Sequence, residues 1–204
     1  MKNYTLPFIA MLATISPALA EDVRPGVFYA GTPSPDGSSR AVYENIIFDF
    51  AAAWANCDSS YMTDAFSDDV IFAYPTTTSR GLDVMKNDVA LFCENAVDTS
   101  FYFPADAFYI DEEMGRVAVE VQFRTTQRGK KQAVNDVWIA TVVDGKGTVL
   151  KEYLDGRVKD LQALGVLEYE ENAEFLTPWQ SRTQEWKECF PIVRAAPINE
   201  CPPK

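Results

Sequence analysis

Ala65-Phe66-Ser67-Asp68-Asp69-Val70-Ile71-Phe72-Ala73-Tyr74-Pro75 is the stretch from which the architecture can be worked out. Val70 to Tyr74 is a run of β-branched and aromatic residues, and Pro75, which has no N–H to give to a ladder, ends it. A strand is therefore expected over 70–74, introduced by the acidic pair Asp68-Asp69. Upstream, Tyr43, Ile46, Ile47, Phe50 and Trp54 recur at helical spacing and predict an amphipathic helix over 40–57, with a short second helix over 60–66. Downstream, a polar Thr/Ser loop leads to Gly81, which opens a third helix carrying Leu82, Met85, Val89 and Phe92 on one face.

After that helix the periodicity changes from helical to alternating. Short strands are expected at 101–103 and 107–110. Residues 116–126 then alternate, with Val117, Val119, Val121 and Phe123 on one side and Glu120, Gln122 and Arg124 on the other. Residues 132–143 form a long strand that is apolar on both faces, Asp144-Gly145-Lys146-Gly147 is a hairpin turn, and 148–155 returns. A last short helix is expected over 158–164. Helices, one strand, a helix and then a meander of strands define an α+β fold rather than alternating α/β.

The ends of the chain read differently. Lys2, an apolar stretch from Leu6 to Ile15 and the small-residue site Ala18-Leu19-Ala20 have the three parts of a secretory signal peptide over 1–20. The expected destination is secreted or periplasmic. No later segment approaches the roughly twenty apolar residues of a membrane span. Residues 21–39, rich in Pro, Gly and Ser, read as an extended lead-in to a domain over 40–167. Residues 168–204, holding Trp179, Trp186, two cysteines and several prolines, read as a tail expected to pack on that domain. The net charge of −12 argues against nucleic acid and anionic membranes as partners. The basic run Arg128-Gly129-Lys130-Lys131 reads as a solvated hairpin turn.

Four cysteines in an exported chain suggest disulfides. Of the three possible pairings, Cys57–Cys93 with Cys189–Cys201 is expected: the first joins two helix ends, the second ties down the tail. The spacing does not suit zinc, and the chain has no histidine. That absence removes Ser-His-Asp and Cys-His nucleophiles and His-Glu-x-x-His metal chemistry. No cofactor or metal is expected, and any acid–base chemistry falls to a carboxylate, a tyrosine or a lysine.

From Arg40 to Leu164 the order of elements resembles the nuclear-transport-factor-2 superfamily, which includes SnoaL-like polyketide cyclases and steroid isomerases. The pieces that carry the resemblance are the stretch quoted first, Arg80-Gly81-Leu82-Asp83, and Val137-Trp138 leading through Asp144-Gly145-Lys146 to Glu152-Tyr153-Leu154-Asp155. The resemblance implies a cone-like, curved mixed or antiparallel sheet wrapped against three helices of the N-terminal half, around an apolar pocket. It also tells which positions to compare. Where steroid isomerases hold their base aspartate this chain has Tyr74. Where they hold a tyrosine donor it has Phe50, and where they hold a protonated aspartate it has Asp136.

Asp136 lies mid-strand between Val134 and Trp138 on one face, so burial would raise its pKa and make it an acid, donor or base. The competing reading is a rim aspartate paired with Arg124. Tyr74, and Asp155 with Tyr153 on one face of the last strand, are further polar candidates. Phe50, Trp54, Phe72 and Trp138 are candidate walls. Three functions follow: acid–base chemistry on a small apolar molecule, binding of such a ligand without reaction, or a homodimer formed through the outer sheet face.

Overall fold

The computed structural model describes residues 21–170, 176 and 179–189. Among these, nine strands form a single mixed sheet that curves without closing, and five helices accompany it. The strands are β1 (Glu21–Arg24), β2 (Val27–Tyr29), β3 (Phe66–Tyr74), β4 (Thr77–Arg80), β5 (Ala96–Phe103), β6 (Phe108–Asp111), β7 (Arg116–Gln127), β8 (Lys130–Val143) and β9 (Lys146–Glu152). The helices are α1 (Ser39–Asn56), α2 (Met62–Ala65), α3 (Leu82–Cys93), α4 (Arg157–Ala163) and α5 (Gln184–Cys189). The order across the sheet is β1-β2-β5-β7-β8-β9-β3-β4, with β6 also paired to β7. Only β2–β5 and β3–β9 are parallel.

Two long strands form the spine. β7 and β8 pair without a break from Arg116↔Thr141 to Gln127↔Lys130. Their hairpin turns on Arg128 and Gly129, and the next one on Asp144 and Gly145. All four residues have positive φ, the conformation that matches a two-residue turn to strand twist. Val117, Val119 and Val121 of β7 face inward and are fully buried. α1 crosses this concave face and buries Ile46, Ile47, Phe48 and Phe50. Register shifts between Val97 and Ser100 of β5, and between Phe66 and Ile71 of β3, are of the kind that bend a sheet.

Two stretches differ from the sequence expectation. The lead-in over 21–39 is not merely extended: β1 and β2 form a hairpin that adds an edge to the sheet, β2 running parallel to β5. Arg24 locks it to α1 through Asp49 Oδ1 at 2.8 Å and Asn45 Oδ1 at 3.0 Å. Glu44 of α1 is buried and holds the rest of the lead-in, accepting from Ser34 N at 2.7 Å, Ser34 Oγ at 3.0 Å and Arg40 Nε at 3.0 Å. The Thr/Ser loop after Pro75 is also partly a strand. Threonine suits an edge strand, and β4 pairs back along β3 from Tyr74↔Thr77 to Ile71↔Arg80.

Cys57, the left-handed residue that ends α1, forms a disulfide with Cys93 at the end of α3. Closing a loop of this length stabilises the fold by about 3–4 kcal/mol in the chain-entropy model. The expected Cys189–Cys201 pair lies outside the described residues, as does the segment read as a signal peptide. No helix among the described residues is long and apolar enough to cross a membrane.

Candidate functional site

The open end of the curved sheet holds a cavity of ≈ 400 Å³. Its walls are aromatic and come from several elements: Phe50 and Trp54 of α1, Phe72 of β3, Phe101 of β5, Phe123 of β7 and Trp138 of β8. The ring of Phe50 stands edge-on to Trp138 at 4.9 Å and to Phe72 at 5.6 Å, so the floor is a packed aromatic cluster and the space lies beyond it. The buried indole N–H of Trp54 has no hydrogen-bond partner among the described residues.

Asp136 points into this cavity. It pairs in register with the inward-facing Val121, and alternation carries its side chain to the concave face. The same alternation excludes the competing pairing: Arg124 pairs with Ala133 and projects to the convex face, where its guanidinium lies 3.8 Å over the Tyr102 ring. Asp136 is only 6% exposed. Its Oδ2 accepts from Trp138 Nε1 at 2.7 Å and its Oδ1 from the Tyr153 backbone N–H at 3.1 Å. Burial pushes the carboxyl up to about 7, against the opposing effect of hydrogen bonds from Trp138, Val137 and Tyr153.

A second carboxyl stands beside it. Glu152, the last residue of β9, pairs with Trp138 in register and so lies diagonally from Asp136 on the same face. Burial, and then the charge of Asp136, hold Glu152 well above the ordinary glutamate range. It is half-buried at the junction between the cavity and a shallow outer groove. Tyr74, at the end of β3, faces the same region. Burial raises its phenol first, the charge of Asp88 second and that of Glu152 third. Asp88 of α3 is itself held by Ser79 Oγ at 2.7 Å.

Six of the eight residues read from sequence as site candidates line this one cavity: Asp136, Tyr74, Phe50, Trp54, Phe72 and Trp138. The other two do not. Tyr153 is 59% exposed, because β9 points Leu150 and Glu152 inward and its next residue outward. Asp155 lies beyond the strand; its Oδ1 accepts from the Arg157 backbone N–H at 3.0 Å at the start of α4, and its carboxylate pairs with the Arg157 side chain at 2.7 Å. That hydrogen bonding lowers its pKa, the opposite of what a neutral acid requires. The missed residue is Glu152. Its signal was the alternation Leu150, Glu152, Leu154, with two apolar neighbours in phase with the acid.

Comparison with solved structures gives the class of fold. The chain resembles TsrD from Streptomyces laurentii with a TM-score of 0.53 at 18% identity, over 63% of this chain and 98% of that one. It resembles a candidate polyketide cyclase from Xanthomonas campestris at 0.51 and 15%, over 62% and 96%. A nuclear-transport-factor-2-like protein of unknown function from Burkholderia pseudomallei gives 0.51 and 15%, over 59% and 95%. No protein-family model and no curated protein matches the chain. The fold is the nuclear-transport-factor-2-like cone, and the three positions singled out by the sequence resemblance, Phe50, Tyr74 and Asp136, converge on its cavity.

Proposed function

We propose that this is an exported pocket domain that performs cofactor-free acid–base chemistry (isomerisation, cyclisation or dehydration) on a small apolar molecule. The observation that carries the reading is the pair Asp136 and Glu152 in the wall of a largely aromatic cavity whose lining also holds Asp88, Gln127 and Lys159. Two desolvated carboxyls that repel each other retain a proton near neutral pH. The neutral member donates a hydrogen bond to a carbonyl oxygen, and the ionised member takes a proton from the carbon next to it. The product of that step is an enol, with one proton moved from carbon to a carboxylate and one from a carboxyl to oxygen. Reversal with a different proton gives exchange or a shifted double bond.

An enolisable bicyclic ketone, β-tetralone, in D2O tests this by NMR. Deuterium is expected to enter the α-carbon faster than in buffer, and Asp136→Asn or Glu152→Gln is expected to slow entry by about 10²–10⁴-fold. Binding of the ketone with no exchange above buffer would remove the catalytic reading. What remained would be a binding protein for a small hydrophobic ligand, the reading favoured by Tyr74 at the position where steroid isomerases keep their base. Export is supported by the composition of residues 1–20 and by the Cys57–Cys93 bridge, since disulfides persist in oxidising compartments. Intact mass of protein recovered from its host is expected to correspond to a chain starting at Glu21; a cytosolic protein retaining residues 1–20 would contradict it.

A further inference from the structure

The basic hairpin run is not only a solvated turn. Arg128, Lys130 and Lys131 at the tip of β7–β8, with Lys159 of α4, line a groove of ≈ 280 Å³. Asp160 is the acid in its lining. Gln127 and Lys159 belong to both this groove and the aromatic cavity, so the two spaces adjoin at a common mouth. In a chain of net charge −12, four cations gathered around one groove are a local reversal of sign. Lys131 lies 4.6 Å over the Tyr169 ring, whereas Arg128, Lys130 and Lys159 make no ion pair among the described residues.

The lining changes along this path. The aromatic walls and the carboxyls of Asp136 and Glu152 belong to the cavity, and the basic groove adjoins it through Gln127 and Lys159. The residue paired with Asp136, Val121, is six positions from Gln127 at the mouth, up to about 20 Å along β7. A compact apolar molecule would leave the outer part unused. We infer that the ligand class is an elongated amphiphile, its apolar body in the aromatic cavity and one terminal anion, a carboxylate or a phosphate, on the groove of Arg128, Lys130 and Lys159. This rests on the pocket reading above and adds the charged end to it. A solvated anion meeting several cations at a partly open site gains modest affinity but strong orientation.

Quenching of tryptophan fluorescence reads occupancy, because Trp54 and Trp138 line the cavity. The probes are dodecanoate, dodecyl phosphate, 1-dodecanol and dodecylammonium, which share one chain and differ in the head. One or both anions are expected to bind about tenfold more tightly than the alcohol, and the ammonium more weakly than either, with the preference shrinking as salt rises. The relative affinity of the two anions tells carboxylate from phosphate. The paired change Arg128→Glu with Lys130→Glu, at residues lining only the groove, is expected to abolish the anion preference while 1-dodecanol binds as before, which also reports that the variant is folded. Equal binding of alcohol and anions, or tighter binding of the ammonium, would overturn the inference and leave the pocket standing. Failure of every probe to bind would overturn the pocket as well.

Discussion

Asp136 has a consequence for stability that is separate from any reaction. It is surrounded by the Trp138 indole, the Tyr153 N–H, Glu152 and, further out, Tyr74, Asp88 and Lys159. Its carboxyl stands at about 7 when folded, against an ordinary value near 4 when unfolded. Between those values the native chain binds more protons than the unfolded one, so stability is present at low pH and is lost as pH rises through about 7. The urea midpoint of the wild type is therefore expected to fall from about pH 5 to about pH 8. An asparagine side chain cannot accept both hydrogen bonds, so Asp136→Asn starts less stable at the acid end, but its decline is expected to be shallower and the two curves to approach each other. Parallel curves would mean that Asp136 is already ionised in the native state at pH 5.

Elements with a strong period were legible in the sequence. α1 and α3 announce themselves by apolar stripes, β7 by its alternation, and the β8–β9 turn by Asp144-Gly145. The errors arose where period or length was weak. β1 and β2 are four and three residues long, and a strand that short shows no alternation; they are strands because Val27 to Tyr29 find the edge of β5, a tertiary fact. β4 is polar because it is the sheet's outer edge, where water and not a core faces it. At β9 the period was visible but the phase was misjudged. Tyr153 and Asp155 drew attention for their chemistry, while Leu150 and Glu152 face inward, and one residue of phase separates a surface pair from the inner carboxyl. Asp136 was legible because an acid inside a long apolar strand is expensive unless it faces a purpose-built environment.

At the scale of the whole molecule, the described part of the C-terminal segment covers a patch of the convex face around Gln122 and Asn135. Gln122 and Asn135, which bond to each other at 3.0 Å on that face, are both buried, and Gln122 Nε2 also donates to the Glu170 carbonyl at 3.1 Å. α4 seals the adjoining edge: beyond the end of β9, the side-chain amide of Gln162 meets the N–H of Ala133 at 3.2 Å and its C=O at 2.8 Å. Val166 and Leu167 then pack with Val134 and Val158 as a small second core, and Leu167 bridges to Arg182. A homodimer through the convex face would have to displace this segment before gaining roughly 800 Å² of contact per partner, the area a stable interface needs. The full chain is therefore expected to sediment as a monomer. Val137, 36% exposed on the same face, gives the control. Val137→Glu is expected to leave the mass unchanged and to shift stability by no more than about 0.5 kcal/mol, as for a surface site. A dimeric wild type that this substitution converts to monomer would show that the convex face binds a second copy despite the segment laid across it.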